Sequence, residues 1–189
     1  MLKPTAYTPT KAIPFDKIKS ASDKNQWVHF YIDDYRFECL WNRPERYLNQ
    51  LRSFAGVITP DFSVFTYLPE AMQIWNTYRN RALAYWLQSH GIPIIPNVRW
   101  GLEESYDYCF DGIAKGSTVA VSTNGCLRSK ENREWFRRGL CAMVRRLEPA
   151  AIVNYGSLSK DLYDAVFAQG IPVYPIEHYH LTVRKGGEG

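Results

Sequence analysis

The sequence has no uninterrupted apolar run of the ~18 residues that a membrane-crossing helix requires, which argues against a helical membrane span and against a membrane partner. Its first residues, MLKPTAYTPTKAIPFDKIKSASDKNQ, lack the continuous apolar stretch of a secretory signal. Cysteine is scarce. Cys39, Cys109, Cys126 and Cys141 form no CxxC pair, and none stands beside a histidine at metal-ligand spacing. That pattern excludes a disulfide framework and favours reduced thiols in a cytoplasmic setting. There is no internal repeat and no low-complexity block. Charge of one sign is not in large excess either. The formal charge of +4 permits an anionic ligand without demanding nucleic acid.

What is present is a length of 189 residues, 46% of them hydrophobic, enough for one well-buried domain and slightly short for two. Aromatic residues make up 15%, including 6 Trp and 13 Tyr. The first segment, 1–26, is rich in Pro, Thr, Lys and Ser and reads as an irregular arm packed through Ile13 and Phe15. Residues 27–182 read as the domain. The tail 183–189 reads as disordered.

Within the domain, short apolar runs alternate with helical patterns, the rhythm of βαβ units. Strands are expected at 27–32, 56–59, 92–98, 117–123, 151–155 and 171–177, and helices at 44–54, 69–89, 130–147 and 159–170. Pro96 warns of an edge, a bulge or an early end to the third strand, because proline cannot donate to a ladder. The long helix AMQIWNTYRNRALAYWLQ is apolar on most of its circumference and reads as largely buried. The fold class is therefore α/β, with a mainly parallel sheet of about six strands and helical crossovers. It is either open and doubly wound or incomplete and barrel-like.

Ligands bind at the carboxyl ends of strands in both architectures. The stretch GIPIIPNVRWG shows why this matters here: a greasy strand delivers Asn97, Arg99 and Trp100 within a few residues. The other strands behave alike. They deliver Asp33, Asp34 and Arg36, then Asp61 and Ser63, then Ser122, Thr123, Asn124 and Cys126, then Asn154, Tyr155 and Ser157, and last Glu177 and His178. Polar loops are ordinary, but agreement across every strand end points to a shared site.

The stretches IDDYRFECLWNRPERYL, GVITPDFS, AMQIWNTYRNRALAYWLQ, IIPNVRWG, YDYCFDGI and VNYGS resemble, in order over roughly 27–157, a bacterial and phage family catalogued as domain of unknown function 4417. The resemblance implies an α/β domain of bacterial chromosomes, phages and mobile elements. It implies no established chemistry.

Asp33, Asp34 and Asp61 at neighbouring strand ends can act as general acid and base or hold a divalent cation; equally, they can be turn aspartates capping amides. Adjacent Asp33 and Asp34 would point to opposite faces if both lay in a strand. Arg99, with Arg36 and Arg79, can grip a phosphate or carboxylate. Arg79 and Arg81, on the long helix, can instead form a buried bridge to Asp34 or Asp61. Cys126 has no base in view and reads first as a small buried hydrophobe. His178 and His180, near Glu177, are a weak metal pattern. From Arg128 to Arg146 run seven Lys or Arg against Glu131 and Glu134, a face that can follow a phosphate backbone or simply be solvated.

The expectation is a polar, aromatic-lined cleft for a small anionic, nucleotide-like ligand. Arg99 holds the anion, Trp100 or Tyr155 stacks on a ring, and Asn97, Asn124 and Ser157 contribute polar contacts. Asp61 with Asp33 or Asp34 binds hydroxyls or moves protons. The cleft either sequesters its ligand or acts on it by hydrolysis or group transfer. The alternative is a nucleic-acid-associated protein that uses the basic helix.

Overall fold

The structure, a computed structural model, describes residues 1–176. Glu177, His178, His180 and the 183–189 tail lie outside the described residues. The fold is mixed α/β, with parallel sheets of four and three strands. Strands β1 (Ala12–Pro14), β2 (Trp27–His29), β3 (Gly56–Ile58) and β4 (Ile94–Ile95) form the first sheet in chain order. Strands β5 (Thr118–Ser122), β6 (Ala151–Tyr155) and β7 (Val173–Ile176) form the second. Every pairing is parallel.

Two expectations change. A single sheet of six strands is not what the described residues form: they hold seven strands, in two sheets. The additional strand is β1, inside the segment read as an irregular arm. It pairs in register with β2, Ala12 opposite Trp27 and Pro14 opposite His29. The break between sheets has a cause in the sequence. Pro96 has no N–H, so β4 ends at Ile95 and the ladder resumes only as a bridge between Asn97 and Ala120. The bridge is made by the Val98 and Ala120 amides, each 2.8 Å from a carbonyl across the gap. No closed barrel forms, since β1 and β7 do not pair.

The helices are α1 (Glu38–Asn42), α2 (Glu45–Arg52), α3 (Glu70–Ser89), α4 (Tyr106–Cys109), α5 (Lys130–Leu147) and α6 (Lys160–Phe167). Helix α5 begins where the Ser129 side chain accepts the Asn132 amide, and ends at Glu148 in the left-handed conformation. Among the described residues, no helix is long and apolar enough to cross a membrane.

Alternation along the strands sorts the core into two clusters. Val28, Val57, Ile94, Val119 and Ile152 pack with Leu83 and Leu87 of α3, Leu140 and Met143 of α5, and Val166 of α6. The opposite side of the strands contributes Trp27, Ile58, Ile95, Ala120, Val153, Tyr155 and Ile176, a cluster with no helical member. The strands therefore pack on themselves: the Tyr155 ring, at the end of β6, lies 4.5 Å from His29 and 4.7 Å from Tyr31, both from the β2 end. Gly56 permits this at the other end. A Cβ there would stand 2.6 Å from the Trp27 indole, its in-register neighbour.

Candidate functional site

A cleft of about 1210 Å³ opens beyond the carboxyl ends of β2 to β5. Its walls are the segments that leave those strands, together with the first half of α3 and the start of α5.

The floor is a buried polar network. Asp61, 7% exposed, follows β3. One carboxylate oxygen accepts from the Asn97 amide at 2.7 Å and from Arg99 Nε at 3.0 Å; the other accepts from Arg99 Nη2. The remaining Arg99 nitrogen, Nη1, lies 3.3 Å from the Cys126 sulfur and 3.5 Å from the Ser122 carbonyl. Asn97 is itself fixed: its amide donates to Thr59 Oγ1 at 2.8 Å and its side-chain oxygen accepts from the Tyr31 hydroxyl at 3.1 Å. Burial alone would weaken the hold of the Arg99 guanidinium on its proton, but the Asp61 carboxylate outweighs it and the net shift is upward. Burial, then the Asp61 charge, drives the Tyr31 hydroxyl well above its ordinary range. The Cys126 thiol is also raised, by burial first, with Arg99 opposing and Asp61 adding to it. It is therefore not an activated nucleophile.

One side wall is a second chain of bonds. Both Asp34 oxygens are taken by Ser63, one by its amide at 3.0 Å and one by its hydroxyl at 2.8 Å. Burial raises the Asp34 carboxyl, and the Ser63 bonds oppose that. The Ser63 carbonyl accepts from the Asn76 amide at 2.6 Å, and Asn76 accepts from Arg79 Nη2 at 2.6 Å. Arg79 ends the chain on both Glu38 oxygens, at 2.7 and 2.8 Å, with its guanidinium 3.9 Å above the Phe62 ring. Sequence reading sought a buried Arg–Asp bridge from α3. The acid on Arg79 is Glu38. Arg81 instead spends its nitrogens on the Asp111, Asn97 and Cys109 carbonyls and the Asn80 side chain.

Helix α3 corrects another expectation. Its first half is not buried on most of its circumference. Gln73, Asn76, Arg79 and Asn80 face inward, while Met72, Ile74, Trp75 and Tyr78 are exposed. The inward polar stripe holds the preceding segment by its carbonyls: Gln73 donates to Leu68 at 2.9 Å, Asn76 to Ser63, and Asn80 to Pro60. The stripe is chosen because those carbonyls have no strand partner and are satisfied only from α3.

The structure brings Asp33, Asp34, Asp61, Arg99, Trp100 and Asn124 to the cleft. Asp33 and Asp34 are not in a strand but at a short 3₁₀ turn, Asp34–Arg36, so neither takes the alternating orientation considered above. Asn97 lies beneath the floor. Trp100 is 9% exposed, its ring held 5.3 Å from Phe136, and a Cβ on Gly139 would stand 2.0 Å from its indole nitrogen. Tyr155 belongs to the inner core, and exposed Ser157 does not line the cleft; its carbonyl accepts from Thr123 at 2.9 Å. Among the described residues, no three His, Cys, Asp or Glu side chains are grouped to hold a metal ion.

Sequence reading missed the cleft's exposed rings: Tyr35, 73% exposed, Tyr67, 77%, Phe65 and Trp75. Phe65 and Tyr67 stack at 5.2 Å with 9° between planes, and Trp75 stacks on Tyr78 at 5.6 Å. The signal was there in SVFTY and QIWNTY, which place apolar rings where turn and helix-surface residues belong. Four guanidiniums line the cleft. Arg99 is paired with Asp61, Arg79 with Glu38 and Arg36 with Asp16 at 2.7 Å; exposed Arg128 has no ion pair among the described residues. On α5 four of the six cations are held in ion pairs by three acids: Arg133 pairs with Asp161, Arg137 and Arg138 share Glu134, and Arg146 pairs with Asp111.

Comparison with known proteins gives a consistent result. The family described as "Domain of unknown function (DUF4417)" matches residues 1–170. The chain is 42% identical over 161 residues to the Gene 1 protein of Mycobacterium phage L5, covering 83% of this chain and 70% of that one. It is 39% identical over 161 residues to the Gene 1 protein of Mycobacterium phage D29, where it spans only 59% of that chain's length. No solved structure matches significantly.

Proposed function

The chain belongs to the DUF4417 family, and we propose that it binds a small anionic, nucleotide-like ligand in the cleft beyond its strand ends. One observation carries the reading: solvent-exposed aromatic rings and a guanidinium with no carboxylate partner among the described residues, Arg128, line the same cleft. A nucleotide needs both, a flat face for its base and a cation for its phosphate. The rings are Tyr35, Phe65, Tyr67 and Trp75. Arg99 has its charge balanced by Asp61, so it shapes the floor while Arg128 meets the phosphate. Asp33, exposed at the rim, is placed to accept from ligand hydroxyls. The packing of the strands on their own inner cluster favours an incomplete, barrel-like sheet over a doubly wound one, and puts the cleft at its open mouth. Four free cysteines suit a reducing, cytoplasmic setting.

Binding is favoured over turnover. A general base needs a free lone pair aimed at the substrate. Asp61 gives three of its roughly four acceptor sites to Arg99 and Asn97, and each Asp34 oxygen gives one to Ser63, so both act first as structural acceptors. A thermal-shift panel of nucleotides and nucleosides, with product analysis, tests the reading. Nucleotides raise the melting temperature, nucleosides raise it less, and no product accumulates. Arg128→Ala removes most of the difference between them. A panel with no shift at all, or a shift indifferent to the phosphate and to Arg128, overturns it.

A further inference from the structure

The cleft is larger, and carries more rings, than one nucleotide uses. Small-molecule sites occupy about 300–1,000 Å³, and this one measures about 1210 Å³. One base stacks on one ring platform. Here there are three: Tyr35 on the 3₁₀ turn after β2, the Phe65–Tyr67 stack after β3, and Trp75 on α3. The third continues along the outer face of α3, where Trp75 stacks on Tyr78 and both meet Trp41 edge-on, at 5.5 and 6.3 Å. These rings are not spare core. Trp75 and Tyr78 lie on the outside of a helix whose inner face is polar.

We propose that the occupant of this surface is a single-stranded nucleic acid, several of whose bases stack on successive rings while its backbone crosses the cleft. The proposal rests on the nucleotide-like reading of the same cleft and enlarges its ligand from one base to several. Single-strand binders combine ring platforms with a modest cationic track, since every base presents a π-face. The cleft's charge fits that balance. Arg128 has no ion pair among the described residues, and Arg36 is half-exposed between Asp16 and Asp33. A duplex is a poor fit, because its bases face each other and its recognition draws on many phosphate contacts. Helix α5, with four of its six cations held in ion pairs, offers few. A protein partner is the competing occupant of an aromatic face, and it becomes an outcome of the test.

The test is fluorescence anisotropy on the whole chain with labelled oligothymidylate and oligouridylate, beside thymidine monophosphate by thermal shift. The variants are Phe65→Ala with Tyr67→Ala, and separately Trp75→Ala. All these side chains are exposed, so folding is preserved and is checked by melting. Both strands are expected to bind. Each variant weakens the oligonucleotide about tenfold, the scale of one lost stacking platform. At most one of the two variants disturbs the mononucleotide, because a single base meets a single platform. The salt dependence is shallow, a slope of about −2 or less, since few phosphates are contacted.

If the mononucleotide binds but the oligonucleotide gains nothing over it, the strand proposal falls and the small-ligand reading stands. If duplex DNA competes as well as single strand, the proposal also falls. If no nucleotide or strand binds, both fall and the aromatic face belongs to a protein partner.

Discussion

Asp61 and Arg99 meet fork to fork: two guanidinium nitrogens share one carboxylate at the junction between the two sheets. Asp61 comes from just beyond the end of β3, and Arg99 from the segment just beyond the Asn97–Ala120 bridge. The pair therefore ties the end of β3 to the segment that crosses to the second sheet, where Arg99 Nη1 lies 3.5 Å from the Ser122 carbonyl of β5. The carboxylate is the more deeply buried partner, 7% exposed against 22% for the Arg99 side chain. Removing Arg99 strands a buried charge, while removing Asp61 leaves a cation that still reaches water. Arg99→Ala is thus expected to cost about 3–4 kcal/mol, and Asp61→Ala about 1–3 kcal/mol. The double variant recovers part of the sum, giving a coupling of at least about 1 kcal/mol in a urea-unfolding cycle. Strict additivity would show that the two side chains are not energetically coupled.

Cys126 sits against Arg99 yet stays a thiol, because burial and the Asp61 charge together exceed the pull of the guanidinium. Only the thiolate alkylates. At neutral pH, iodoacetamide is expected to modify exposed Cys39 well before Cys126, as read by peptide mass. Arg99→Ala removes the one opposing charge and slows Cys126 further at a given pH, provided folding is kept. Rapid modification of Cys126 in the unsubstituted chain would make it a reactive group and reopen the catalytic reading.

Glu134 gives a pH-dependent prediction. Bonds from Arg137 and Arg138 hold its carboxyl down to about 2. A depressed carboxyl contributes stability above its ordinary value of 4.5, and that contribution fades as pH falls from there through about 2. The glutamate precedes both arginines on α5, at three and four residues, which is the favourable order. The group is fully exposed, so the effect is small and screened by salt. Glu134→Gln should lower the melting temperature by about one or two degrees at neutral pH and low salt. The difference disappears near pH 2 and in high salt. A difference that persists there would place its origin outside the ion pairs.

Much of the fold could be read from local pattern, and the exceptions are non-local. Helix α5 and strand β6 fall at 130–147 and 151–155 as read, since each pairs one clean periodicity with a marked boundary. Strand β1 escaped because AIP carries no alternation; only its pairing with β2 makes it a strand. Helix α3 shows the deeper limit. Periodicity reveals that a helix has two faces but not which one meets the protein. The polar face won because the Pro60, Ser63 and Leu68 carbonyls needed donors, a demand that arises elsewhere in the chain. In the same way Asp61 and Arg99 were visible as strand-end residues, whereas their pairing was not. It depends on the relative height of two strand ends, which spacing along the chain does not encode.

Asn76 is where that inverted helix controls the cleft. Its amide donates to the Ser63 carbonyl at 2.6 Å and its oxygen takes Arg79, while Asp34 holds the amide and hydroxyl of the same Ser63. Ser63 is thus clamped from both sides, and beyond it come Phe65 and Tyr67, the exposed stacked rings. Asn76→Ala releases one side. It leaves a carbonyl and a guanidinium nitrogen short of a partner, at a cost of about 1–3 kcal/mol. The larger consequence is local. Amides of 64–68 should exchange faster with solvent, while β5 and β6 keep their protection. Ligand affinity should then fall more than the global stability does, because the ring platform has to be ordered again on binding. Asn76→Asp separates the two partners: it keeps the acceptor for Arg79 and loses the donor to Ser63. If the segment is held through Ser63, Asn76→Asp loosens 64–68 as much as Asn76→Ala does. If exchange there stays slow in both variants, the Asp34 bonds alone hold the segment and α3 serves only as its backing.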